Sequence, residues 1–462
     1  MFELKGSNKM FIKGGKREVA AMAWPMAVGM LSFTLMSVTD ILFMGMLGTD
    51  YVAGVGLATT LAFFFMSFFI GLVSGPQSLV SAADGAGDAE RKRSAASAGI
   101  IIGAVSGVVS GVLMYLLYLP LTESIVSDPA IIDRMSGYLQ VRVLGMPFAM
   151  LGMGLLAGIQ GIGDSKTRMW VNIIANLLNI ALNALFIFGF GPIPAMKEAG
   201  AALATILCQL LTAILYYVKY RQHFGKPVLA EWEVIRSSLL LGLPSGMQRM
   251  LGVFAFTVMS LVLGRVGAGH LAASEIVLNI VSVSFLPGFG ISEAGGILVG
   301  RYLGAGDLQA AGRALRSSRI LAGGIMAACG VLFAIRGEWL AALFTNDPTV
   351  AAIAGTLMLF AAFFQVFDAL SMVHLCALRG AGDTRFALIV TTGTSWGLTV
   401  PLTLLFALWM GWGAPGAYLA LSSELLALAL ISGIRAGGIE KGRVGRLDLL
   451  LGREIECECE GE

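Results

Sequence analysis

Twelve mostly apolar runs follow one another along the chain, at 19–47, 52–82, 95–119, 130–160, 168–191, 200–218, 237–264, 271–300, 318–336, 350–378, 386–411 and 414–434. A helix crosses the hydrocarbon core of a bilayer with about 20 such residues. Inside lipid every backbone N–H and C=O must find its partner within the protein, and a helix does this within one segment. The pattern therefore predicts an all-α integral membrane protein with twelve transmembrane helices. Composition closes the other routes. The chain is 57% hydrophobic and only 13% charged, where soluble proteins carry about 25% charged residues. That excludes a soluble enzyme, a secreted disulfide scaffold and a disordered protein. The 60 glycines suit helices that approach closely in a membrane.

The connections orient the spans. With the N-terminus placed in the cytoplasm, the inside segments hold 25 Lys and Arg, the outside segments hold four (Arg134, Lys197, Arg265, Arg336), and Arg142 and Arg249 fall within spans. The positive-inside rule then puts both termini in the cytoplasm. We expect a multi-pass protein of the cell membrane with no signal peptide. A net charge of +2 gives no electrostatic case for nucleic acid. Cys208, Cys329 and Cys376 lie in apolar runs, while Cys457 and Cys459 lie in an acidic tail that reads either as a solvated end or as a metal clip. We see no disulfide framework and no resident metal or cofactor.

The chain also repeats itself. Gly85-Ala86-Gly87-Asp88 recurs as Gly304-Ala305-Gly306-Asp307, and Gly161-Ile162-Gly163-Asp164 as Gly380-Ala381-Gly382-Asp383. Pro25 recurs as Pro244, Gly48 as Gly267 and Gly71 as Gly290, every pair at one common offset. Two six-helix units follow: an N-terminal bundle at 1–222, a polar linker at 223–236, a C-terminal bundle at 237–440 and a charged tail at 441–462. Six spans per unit make the repeats parallel, an architecture of alternating-access transporters. Each Gly-x-Gly-Asp tetrad reads as a helix–turn–helix, with Gly ending one helix and Asp capping the next. A ligand loop is the other reading, and neither a strand nor a Walker lysine accompanies it.

Taken together, these features resemble the multidrug and toxic compound extrusion (MATE) family, over about 15–436. The likeness rests on the twelve spans in two halves and on Pro25 and Asp40 in span 1. It also rests on the paired Gly-Ala-Gly-Asp loops, on Asn179 and Asn183 in span 5, and on the run from Gly200 to Thr205. It implies a V-shaped pair of bundles that exports cationic or amphiphilic compounds against H+ or Na+. The missing acid after Pro244, and Phe364 where a Tyr would stand, favour the DinF-like branch over the NorM-like one.

The charged residues set furthest inside the spans are Asp40, Arg142, Arg249, Glu293, Asp368 and Glu424, with Glu275 nearer one end. Such groups are costly in lipid and mark either a cavity or a helix-packing pair. Asp40 is the foremost functional candidate. It follows the helix-bending Pro25 in the same span, and its repeat counterpart is Met259. Asn179 and Asn183 share one helix face. They either join Asp40 in an ion site, with Na+ as one occupant of Asp40, Asn179 and Asn183, or serve as hydrogen-bond glue. From the resemblance, Thr205 joins the ion-coupling set, and Tyr138 and Asp368 become substrate-binding residues alongside Asp40. Asp368 alternatively pairs with Arg249. The expected protein is a monomeric secondary active multidrug exporter, not an enzyme, with small molecules and the lipid bilayer as its partners. The alternative is a flippase of lipid-linked saccharides. A cationic cavity would suit that cargo, and the embedded set has only two Arg against five acids.

Overall fold

The computed structural model describes residues 12–442, so the acidic tail with Cys457 and Cys459 lies outside the described residues. Twelve helical spans run α1 Lys16–Gly45, α2 Thr49–Ala86, α3 Ala89–Ser124, α4 Pro129–Gly161, α5 Ser165–Phe188 and α6 Lys197–Phe224. They continue as α7 Trp232–Val266, α8 Ala268–Gly304, α9 Leu308–Ala342, α10 Pro348–Gly380, α11 Thr384–Trp409 and α12 Gly413–Gly437. The only strand-like pairing among the described residues is the isolated bridge Phe190–Ile193. The protein is an all-α, twelve-span membrane protein.

Several helices overrun the apolar cores that mark them in the sequence. At 1.5 Å per residue, the 38 residues of α2 extend about 57 Å, well beyond a ~30 Å hydrocarbon layer. On α3, Val105, Val108, Val112 and Leu116 are each more than half exposed. A stripe of that kind at helical spacing suits contact with lipid tails.

The repeat is physical as well as textual. In all four tetrads the second glycine takes a left-handed φ: +72° at Gly87, +81° at Gly163, +73° at Gly306 and +81° at Gly382. The following Asp N–H then donates to the carbonyl five residues back, namely Ala83, Ile159, Tyr302 and Leu378. That is the helix-ending motif which glycine permits at lowest steric cost. Asp88, Asp164 and Asp307 cap the next helix by accepting from Arg91, Thr167 and Ala310 N–H. Asp383 differs from the expectation. It makes no side-chain cap, because the Arg435 guanidinium takes its carboxylate at 2.8 Å. A further pair emerges in the structure: Asp128-Pro129 and Asp347-Pro348, related by the offset that takes Pro25 to Pro244, open α4 and α10 with the same cap.

Close approach also obeys the repeat. A Cβ on Gly85 would strike the Arg301 carbonyl oxygen, and one on Gly304 would strike that of Ala82. These two contacts are images of each other under the repeat, since Gly85 corresponds to Gly304 and Ala82 to Arg301.

The compact units are not the sequence halves. Among the described residues, one unit comprises 12–23, 78–92 and 254–442; the other comprises 24–77 and 93–253. The first half thus lends the end of α2 to the unit built mainly from the second half. In return, the opening part of α7 belongs to the other unit. The linker is shorter than its sequence suggests. Helix α6 runs to Phe224 and α7 starts at Trp232. The segment between is pinned to α3: Val228 N–H donates to Ser97 Oγ and Glu231 N–H to Ser94 Oγ, while Arg93 donates to the Lys226 carbonyl.

Candidate functional site

Asp40 lies in the unit of residues 24–77 and 93–253 and is 7% exposed. It sits far along α1, where Ser and Thr dilute an otherwise apolar sequence. Pro25, earlier in the same helix, has no N–H for the Ala21 carbonyl. It falls just after the point where α1 passes from one unit to the other.

Helix α5 supplies the carboxylate's direct donor. Asn183 Nδ2 donates to Asp40 Oδ1 at 2.5 Å and to Asn179 Oδ1 at 3.0 Å. Both asparagines are fully buried. Asn183 Oδ1 and Asn179 Nδ2 are left without a hydrogen-bond partner. A buried orphan amide oxygen next to a carboxylate is an uncommon expense in a folded protein. It is also one of the oxygens a small cation would use. Nearer the start of α5, Asn172 Nδ2 donates to the Gly29 carbonyl and its Oδ1 accepts from Tyr216, which ties α5 to α1 and α6.

The wall of the site comes from α4 and α6. Tyr138 is 1% exposed and lies within reach of the Thr205 and Arg142 side chains. Thr205 spends its own hydroxyl proton on the Ala201 carbonyl, 2.9 Å away. Arg142 is 7% exposed, and its Nη1 donates to Gln209 Oε1 at 2.8 Å. Its charge acts on Asp40. Helix α4 breaks at this level into the 3₁₀ turn Val143–Gly145 before resuming at Met146. Mid-helix 3₁₀ turns mark hinges or strained sites. A Cβ on Gly145 would come within 2.9 Å of both Arg142 Nη1 and Gln209 Oε1. The glycine therefore makes room for that bond.

The structure thus gathers Asp40, Asn179, Asn183, Tyr138 and Thr205. Asp368 is in the other unit, where it feels the charge of Glu424. Glu424, 8% exposed, accepts hydrogen bonds from Ser395 and Thr399. These two residues bound a π-helical turn, Ser395–Thr399, inside α11. Such bulges occur often at functional sites. The sequence exposes Glu424 as an ionisable group in a span but gives it no partner. The signal that was there to read is the hydroxyl spacing of Ser395, Thr399 and Thr403. Met259, the repeat counterpart of Asp40, is 1% exposed and packs in an apolar cluster with Leu263, Ala273 and Val277. Among the described residues, no group of three or more His, Cys, Asp or Glu could hold a metal.

Outside the spans, Asp164 carries a clear electrostatic signature. Burial on its own would raise its carboxyl, but bonds from His223 and Thr167 hold it below the usual carboxylate range.

Known proteins give the same architecture. The chain matches the family model MatE twice, at 25–185 and 244–405, so the second match begins at Pro244, the repeat image of Pro25 where the first begins. It is 32% identical over 434 residues to the probable multidrug resistance protein NorM of Pseudomonas aeruginosa, covering 90% of this chain and 87% of that one. The multidrug resistance protein NorM of Burkholderia vietnamiensis is 28% identical, with 90% and 92% covered. Among solved structures, a MATE protein in a bent conformation superimposes with a TM-score of 0.86 at 21% identity, covering 94% of this chain and 97% of that one. An outward-facing multidrug resistance MATE transporter gives 0.85, with 92% and 96% covered. Two matched family segments, the identity to the Pseudomonas relative and the shared twelve-span fold lead to one conclusion: the chain belongs to the MatE family of membrane transporters, and it is not an enzyme.

Proposed function

We propose that this protein is a secondary active exporter of amphiphilic, cationic small molecules, exchanging them for H+ or Na+ at Asp40. The observation that carries this reading is the buried Asp40 carboxylate. It accepts from the Asn183 amide beside an orphan amide oxygen, and a methionine packed in apolar core stands at the matching place of the second repeat. A carboxylate so placed exchanges one cation for another. A proton neutralises it, a sodium ion would add the oxygens of Asn179 and Asn183, and a drug's ammonium group would pair with it. These occupants exclude one another, and mutual exclusion is the requirement of antiport. Thr205 and Tyr138 complete the wall, and Asp368 serves substrate from the second repeat.

The lack of an acid after Pro244 supports coupling through the first repeat, as in the DinF-like branch. Pro25 serves as hinge for the part of α1 that carries Asp40. Occupancy of Asp40 changes its bond to Asn183 and so the register of α1 against α5. The bundles rock in response and open the site to one side of the membrane, then to the other. The chain works as a monomer in the cell membrane with both termini in the cytoplasm. The multidrug names of its relatives support the export reading over lipid-linked saccharide flipping.

The test is drug uptake into inside-out proteoliposomes under an imposed pH or sodium gradient, for wild type and Asp40→Asn. We expect the variant to lose at least tenfold in gradient-driven transport while reaching the membrane in normal amount. Undiminished gradient-driven transport by Asp40→Asn would sink the proposal.

A further inference from the structure

Arg142 is a buried cation beside the coupling carboxylate, and the exchange at Asp40 leaves it without a task. Buried opposite charges ordinarily close on each other, because an unpaired charge in a low-dielectric interior is costly. These two do not. Among the described residues no ion pair within 4.0 Å joins Arg142 to Asp40, although the guanidinium charge acts on the carboxylate. Each is held by neutral groups instead. Asn183 holds Asp40, while Gln209 and Tyr138 hold Arg142. The arrangement is built rather than incidental. The missing Cβ at Gly145 leaves room for the Arg142–Gln209 bond, and the 3₁₀ turn of α4 begins at the residue after Arg142. Gln209 reaches it from α6, far along the chain from α4.

A site that keeps a carboxylate and a guanidinium apart presents two complementary poles. A plain cation can satisfy only one pole and is repelled by the other. A molecule carrying both an ammonium-type cation and a carboxylate satisfies both. The planar guanidinium fork matches a carboxylate in a way that few other side chains can. We propose that Arg142 is a specificity-determining residue that makes this site prefer amphoteric amphiphiles, with the cation at Asp40 and the anion at Arg142. The inference rests on Asp40 being the cation-binding group of the proposed function and refines its substrate class.

Two dyes separate the outcomes. Rhodamine B carries a xanthylium cation and a carboxylate, and its ethyl ester keeps only the cation. Binding of each is followed by fluorescence anisotropy on the purified full chain at neutral pH, with melting temperature recorded in parallel. Four proteins are compared: wild type, Arg142→Gln, Arg142→Lys and Asp40→Asn. For Arg142→Gln we expect rhodamine B to bind at least tenfold more weakly, with the ester unchanged within twofold or tighter. Arg142→Lys should recover part of the loss, because it restores the charge without the fork. Equal weakening of both dyes would mark Arg142 as purely structural and overturn the inference, as would no change for either. Failure of Asp40→Asn to weaken the ester would instead count against the underlying reading of Asp40, whichever way Arg142 behaves.

Discussion

At the scale of single residues, position in the sequence and chemistry in the fold agree best where a polar group interrupts an apolar run. Asp40 was readable for that reason, and so was the Asn179/Asn183 pair, whose four-residue spacing puts both amides on one face. The Arg142–Gln209 bond was not readable, since its partners sit on different helices and only the bundle brings them together. Asp164 gives a test outside the spans. Its cap on Thr167 and its bond to His223 keep the carboxyl ionised below the usual range. A depressed folded value means that the contribution is present above the ordinary aspartate pKa of about 4. It is lost as pH falls through the lower, folded value. We expect Asp164→Ala to cost roughly 1 kcal/mol at pH 7, the usual size of a lost cap. Melting in detergent across pH 7 to 3 should show this penalty shrink below about pH 4. A penalty that grows on acidification would contradict the assignment.

At the scale of elements, the tetrads were legible because glycine and aspartate are needed there for reasons of backbone geometry alone. Helix ends were less so. Hydropathy marks the part of a helix that meets lipid, whereas α3 and α9 continue into polar ends that the cores at 95–119 and 318–336 do not signal. The π-helical turn Ser395–Thr399 left only its hydroxyls as a trace. The paired contacts of Gly85 and Gly304 make a prediction of symmetry. Each presents its Cα to a carbonyl oxygen that a side chain would strike. Gly85→Leu and Gly304→Leu should each destabilise the protein by about 1–3 kcal/mol, the cost of overpacking. The two losses should be similar, as read by thermal unfolding of the purified variants. A large loss at one position and none at the other would mean that the two crossings are not equivalent.

At the scale of the whole molecule, the repeat told us that there are two bundles but not how the chain is shared between them. Residues 78–92 are first-half sequence in the unit built mostly from the second half, and 232–253 are the reverse. Hydropathy and repeat spacing carry no information about which long helix serves which unit. A chain cut between Phe224 and Trp232 should therefore yield two pieces, neither of which completes a unit. We expect each piece expressed alone to be degraded or aggregated, and the two co-expressed to co-purify as a folded pair by size-exclusion chromatography. Recovery of either piece as a monodisperse, cooperatively melting protein would contradict the exchange.

The separation of Arg142 from Asp40 bears on energetics as well as recognition. A singly charged cation leaving in exchange for one proton moves no net charge, so only the pH difference drives it, at about 1.4 kcal/mol per unit. An amphoteric molecule leaves with no net charge while the proton still enters with one. That exchange also draws on the membrane potential, which adds about 2.3 kcal/mol per 100 mV. The same protein and the same carboxylate would then drive amphoteric cargo against the steeper gradient, and a potassium diffusion potential set with valinomycin would accelerate the export of one dye and leave the other unchanged.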